Sequence, residues 1–247
     1  MSARLFATGL LAVSLLAIGT ALPHGRGSAQ AAPVGVGIET PVDPAAPLPA
    51  APLDESLRRL EQTWSHINYE VGDPQAQQTQ MTRLIDAAAA VAAQNPGHAE
   101  PLVWQALALC SEAGFEGGLG ALRRARQARE LFEQAARLDY RALNGAIPIS
   151  LGSLYAKVPG FPLGFGDDTK ARRYLEEGLA INPDGLDSNY FYGDFLLELK
   201  DYGHAAEVLT HALAAPPAPD RPVWDAGRRG EVRALLARAQ QKLAANQ

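Results

Sequence analysis

A helix pattern that returns after 34 residues constrains this chain more than any other feature. One copy ends in Ala171, Leu175, Gly178, Leu179 and Pro183, the next in Ala205, Leu209, Ala212, Leu213 and Pro217, with no gap between them. An earlier copy reads Ala128, Phe132, Ala135 and Ala136, with Tyr140 in place of the proline. Small and large residues at i, i+4, i+7 and i+8 form one helix face, and that face is buried only against a neighbouring helix. A unit of this kind cannot close its own core, so copies must stack.

The pattern extends in both directions. Asp54 and Glu55 sit where the dipole of a first turn favours acids, and Leu57, Leu60 and Trp64 follow at helical spacing. Gly72-Asp73-Pro74 breaks that helix, and a second is predicted over Gln75–Gln94, ended by Asn95-Pro96-Gly97. A third is predicted over Glu100–Ser111. The segment Glu112–Gly120 then interrupts the period and reads as a long turn, about ten residues beyond the repeat template. The turn Val158–Asp168 is about seven residues too long on the same template. A last helix, Ala226–Ala244, is expected to cap the stack. No segment alternates with period two, so the fold class is all-α: about eight helices in stacked antiparallel hairpins.

A 34-residue period of this composition resembles the tetratricopeptide repeat, and the resemblance implies an α-α superhelix with a concave surface. A narrower likeness rests on Ser150–Tyr155, the turn Val158–Asp168 and Asn182–Asp194. Over Leu102–Ala215 the chain is similar to exported tetratricopeptide-like proteins related to the T-component of TRAP transporters. That resemblance implies a periplasmic helical protein accompanying a solute-binding protein of an ATP-independent uptake system. The T-component prototype looks like a lipoprotein, whereas this chain has no lipid-accepting cysteine near its leader.

Residues 1–31 read as an export signal: Arg4 precedes an uncharged apolar run, Leu5–Ile18, and small residues suit cleavage after Ala21 or Ala31. The alternative is an uncleaved anchor, the one way this chain would meet a membrane. The expected location is the periplasm. Residues 32–52 are rich in Ala and Pro; five prolines from Pro41 to Pro52 exclude a regular helix, so the segment reads as an extended linker. Residues 53–247 form the predicted repeat domain.

The net charge is −5, and residues 1–31 carry Arg4 and Arg26 but no acid, so the remainder is more acidic still. Nucleic acid is a poor partner for such a chain, because phosphate affinity comes largely from Lys and Arg. The cluster Arg123, Arg124, Arg126 and Arg129 reads as a solvated helix face, paired with Glu130 and Glu133 four residues on. Cys110 is the single cysteine; it lies in an apolar run and reads as a buried, inert thiol.

Two regions are candidates for binding. In the turn Val158–Asp168, Phe161 and Phe165 are large apolar side chains among glycines and prolines. They either contact a partner or plug the end of a groove, while Asp167 or Asp168 caps the next helix. On the concave face, repeat geometry places Asp187, Tyr190, Asp194, Leu197 and Glu198 in the last unit. Ile149, Ser153, Ala156 and Lys157 line the middle unit, and Glu100, Val103, Leu107 and Cys110 the earlier one. The expected contact residues are Lys157, Phe161, Phe165, Asp187, Tyr190, Asp194 and Leu197, on a groove with an apolar floor and an acidic end. Its ligand is either a partner protein, a periplasmic solute-binding protein being one candidate, or a small apolar molecule. His204, Glu207 and His211 share a helix face, but the two histidines are about 10.5 Å apart along the axis, too far for one ion. No catalytic residues, metal or cofactor are expected; a metal-dependent hydrolase is the outside reading. The leading function is an exported binding scaffold, and the alternative is an accessory of a TRAP-type uptake system.

Overall fold

A computed structural model describes residues 52–245. Among them are nine helices: α1 (Leu53–Tyr69), α2 (Pro74–Gln94), α3 (Glu100–Glu116), α4 (Gly118–Leu138), α5 (Ala142–Lys157), α6 (Asp168–Ile181), α7 (Leu186–Glu198), α8 (Tyr202–Leu213) and α9 (Pro222–Ala244). The leader and nearly all of the linker expected from the sequence lie outside the described residues. No described helix is long and apolar enough to cross a membrane.

Local chemistry sets the helix ends. The Asp73 carboxylate accepts from the Ala76 N–H at 2.7 Å and Pro74 takes the first helical position, where its missing N–H has no partner to lose. Asp167 and Asp201 cap α6 and α8 in the same way. One sequence expectation needs correction. Glu112–Gly120 is not a long turn: α3 continues to Glu116, Gly117 at φ 67° and Gly118 at φ 58° reverse the chain, and α4 starts at Gly118. The extra residues are additional helical turns on both arms. They are held by Glu112, which is buried, contacts the Arg124 Nε at 2.6 Å and accepts from the Thr82 hydroxyl at 2.6 Å. A second feature has no signal in the apolar pattern. Leu143, Asn144 and Gly145 all have positive φ, so α5 opens with a left-handed turn and runs right-handed only from Ala146. Pro148 then falls within the first right-handed turn, where no backbone acceptor is forfeited.

Helices pair as antiparallel hairpins, α3 with α4, α5 with α6 and α7 with α8. Two glycines set how closely the arms approach. A Cβ on Gly152 would lie 2.6 Å from the Leu175 Cγ, and one on Gly193 would lie 2.6 Å from the Leu209 Cγ. Leu175 and Leu209 are the 34-residue partners noted above. The odd-numbered helices also pack in sequence, α1 on α3, α3 on α5, α5 on α7 and α7 on α9, and the row closes because α9 packs on α1. A single apolar core accordingly contains Leu60, Trp64 and Ile67 of α1 together with Leu196 and Leu197 of α7 and Trp224 and Val232 of α9. A second core fills the space between α3, α4 and α5 around Phe132, Ile147 and Leu151. The array is thus a ring of helix pairs, and α9 does more than cap one end: it joins the last hairpin to the first helix.

Candidate functional site

Ring closure decides what becomes of the concave face. Arg228 reaches inward from α9 and is 4% exposed. Its Nε lies 2.7 Å from the Asp187 carboxylate and its Nη1 donates to Glu231 at 2.5 Å. The guanidinium covers the Tyr190 ring at 4.4 Å and the Phe191 ring at 5.0 Å. From α1 the Tyr69 hydroxyl donates to the same Glu231 carboxylate at 3.3 Å. Burial opposes the Arg228 charge, but the surrounding acidic and phenolic groups outweigh it and hold the guanidinium firmly protonated. Burial, helped by the neighbouring Asp187 charge, pushes the Glu231 carboxyl above the usual range despite Arg228.

One helix pair further round, the Lys157 ammonium lies 2.5 Å from Asp194 and also contacts the Glu198 carboxylate. Burial works against this charge too, and the two carboxylates overcome it, so the ammonium titrates above its ordinary value. Five expected contact residues therefore lie on the inner side of the ring, with their groups engaged by the protein itself. Asp187 and Tyr190 meet Arg228, Asp194 meets Lys157, and Leu197 is buried in the core shared with α1 and α9. The acidic end of the groove is met by internal cations. On α3 the register differs from expectation: Val103 and Cys110 are buried in the core with α4 and α5, whereas Ser111 on another face accepts from the Trp64 indole at 3.0 Å. The cause is rotational, since residues one position apart on a helix point about 100° apart. Burial pushes the Cys110 thiol up to about 12, so it is un-ionised at neutral pH.

The turn between α5 and α6 contrasts with this. The Gly166 N–H donates to the Pro159 carbonyl at 2.9 Å, Gly164 to Gly160 at 3.2 Å and Asp167 to Tyr155 at 2.9 Å. A Cβ on Gly166 would fall 1.8 Å from the Val158 carbonyl oxygen, and one on Gly164 would fall 2.4 Å from that of Pro159. These glycines are needed because the backbone folds tightly onto itself. Asp167 accepts from the Thr169 and Lys170 amides at 3.0 Å each and so starts α6. Phe165 packs edge-on to Tyr155, centroids 5.5 Å apart, with the Arg129 guanidinium 4.4 Å above its ring. Arg126 donates to the Leu163 carbonyl at 3.4 Å and is not paired with Glu130, as a simple solvated face would have it.

The two phenylalanines thus separate. Phe165 anchors the loop, while Phe161, at 93% exposed, stands in solvent with Leu163 at 68%. Leu163 was not singled out by sequence reasoning. Its neighbours gave no sign of which apolar loop residue would turn inward, because that depends on Arg129 and Tyr155 from two other helices. His204 pairs with Asp201 at 2.7 Å and His211 with Asp184 at 3.0 Å, both at the surface. Among the described residues, no group of three or more His, Cys, Asp or Glu side chains is placed to hold a metal ion.

No protein-family model matches the sequence. No curated protein matches it either. Among solved structures, the fold is similar to that of TTC0263, a thermophilic TPR protein of Thermus thermophilus. The TM-score is 0.51, the sequences are 18% identical, and the match covers 77% of this chain and 91% of that one. At that identity the likeness is one of fold: this chain is an all-α, tetratricopeptide-like helical-repeat protein.

Proposed function

We propose that this chain is an exported, non-catalytic scaffold that binds a partner protein. The observation that carries the reading is the loop 158–167: backbone hydrogen bonds and Phe165 hold it in one shape, yet it presents Phe161 and Leu163 to solvent. Large exposed apolar side chains on a rigid support mark contact sites, because ordering costs little entropy when the support is already fixed. The inner residues Lys157, Asp187, Tyr190, Asp194 and Leu197 support this surface by holding the ring together. Export rests on the apolar leader and its small-residue cleavage positions, and sequencing the N-terminus of the mature protein tests it.

A narrower second reading, an accessory of a TRAP-type uptake system acting with a solute-binding protein, is favoured by the sequence likeness over Leu102–Ala215. Crosslinking pull-down from the native envelope tests both, comparing wild type with the Phe161→Ala, Leu163→Ala double variant. We expect a partner held by the wild type and lost by the folded variant, and a solute-binding protein as that partner would support the second reading. Equal recovery of every partner by both proteins would sink the scaffold reading.

A further inference from the structure

The apolar tip of the loop does not stand alone. In an array of antiparallel hairpins the turns within each pair share one edge, so the α3–α4 and α5–α6 turns are neighbours. Contacts agree: a Cβ on Gly164 would lie 3.4 Å from the Leu122 side chain, and Arg126 bonds to Leu163. Leu119, one helical turn before Leu122, is 85% exposed at the start of α4. Arg123 lies a turn beyond Leu119 on the same side, 64% exposed, with only a 3.5 Å approach to Glu116. The edge therefore offers three exposed apolar side chains, Leu119, Phe161 and Leu163, beside two guanidiniums, Arg123 and Arg126.

Resting on the scaffold reading above, we infer that this edge binds a short segment of the partner protein that carries apolar side chains with adjoining carboxylates. Size favours a segment. Standard interfaces between domains bury about 800 Å² on each side, and a patch of five side chains suits a peptide. Charge favours an acidic one. The patch presents two exposed guanidiniums beside its apolar side chains, Arg126 bonded to the Leu163 carbonyl and Arg123 only loosely approached by Glu116, so both have N–H groups left to donate to carboxylates. An extended anionic surface such as a membrane would also face the chain's overall charge of −5, whereas a short segment meets this edge alone.

The test begins with Phe161→p-benzoyl-phenylalanine in the full chain, irradiated in the native host. The crosslinked peptide is sequenced, synthesised and titrated against wild type, Leu119→Ala, Arg123→Gln and the Arg123→Gln, Arg126→Gln double variant, each checked for its thermal melt. We expect a peptide with Asp or Glu beside its apolar residues. Binding should weaken about tenfold or more in each variant and fall as salt rises from about 50 to about 300 mM. Arg123 pairs with Glu116 whereas the bond to the loop comes from Arg126, so the Arg123 substitution alone separates recognition from loop support. A crosslinked peptide without carboxylates, or one whose affinity ignores Arg123 and salt, overturns this inference and leaves the scaffold reading standing. Crosslinking to a second copy of the chain overturns it in favour of self-association. Phe161-dependent flotation with phosphatidylcholine–phosphatidylglycerol vesicles and no peptide crosslink overturns it in favour of lipid. Absence of any Phe161-dependent product overturns both.

Discussion

The seam where α9 meets α1 and the loop between α5 and α6 each concentrate unusual residues, and they use them in opposite ways. At the seam, a buried cation is matched: Arg228 lies between Asp187 and Glu231, with Tyr69 completing the set. In the loop, apolar side chains are split, with Phe165 tucked under Arg129 and Phe161 left in water. A buried cation carries no message outward and costs stability unless every partner is present. An exposed apolar side chain does nothing for the fold and is free to serve contact. Residues that look equally out of place in a sequence thus divide by whether the fold supplies their partners.

Substitution should make that division measurable. The largest effect is expected from Arg228→Ala, which leaves the largely buried Glu231 carboxylate, and the partly exposed Asp187 beside it, without their cation. A loss of about 3–5 kcal/mol, the usual consequence of breaking a buried pair, should appear in urea unfolding; a loss below about 1 kcal/mol would mean the seam is not the structural element described. Next comes Phe165→Ala. A fully buried phenylalanine costs about 3–5 kcal/mol when truncated, so this half-buried one should cost about 2 kcal/mol. Thermal unfolding of this variant beside Phe161→Ala provides the sharpest contrast between anchor and tip.

A smaller effect follows from Glu231. Its carboxyl is raised in the folded protein, so the native state holds that proton more tightly than the unfolded chain does. The contribution is fully present below the ordinary glutamate value of 4.5 and fades as pH rises from there through the higher folded value. Glu231→Gln, which cannot titrate, should therefore gain stability relative to wild type as pH climbs through that window; parallel stability curves for the two proteins would refute the raised value. Smallest of all, Phe161→Ala and Leu163→Ala should each change stability by less than about 0.5 kcal/mol, as exposed positions do. A clear destabilisation by either would show the tip to be part of the fold and remove the basis for the contact surface.

Much of the architecture was legible in the chain. The 34-residue pairs Ala171/Ala205 and Leu175/Leu209 are buried where the period requires, and Asp73 with Pro74 starts a helix as its chemistry dictates. What escaped was decided by contacts between distant segments. Glu112–Gly120 looked like a turn because its four glycines suggest one, but Arg124 and Thr82 satisfy Glu112 and carry α3 onward. The left-handed start of α5 leaves no trace in an apolar pattern. Periodicity identified the inner face of α7 but not what lies against it, since Arg228 is remote in sequence and the final helix reads equally well as a simple cap. The loop was picked out by its length, and its division into anchor and tip was not, because Arg129 and Tyr155 make that choice from neighbouring hairpins.

An open repeat array usually loses structure from its ends inward, since each terminal unit has a neighbour on one side only. Here the first and last helices are neighbours through a shared core of Leu60, Trp64, Trp224 and Val232. Peeling either one away exposes apolar surface on the other, so fraying at one end is coupled to fraying at the opposite end. Hydrogen exchange should accordingly report one cooperative unit in which α1 and α9 share a common opening energy, in place of a gradient along the chain.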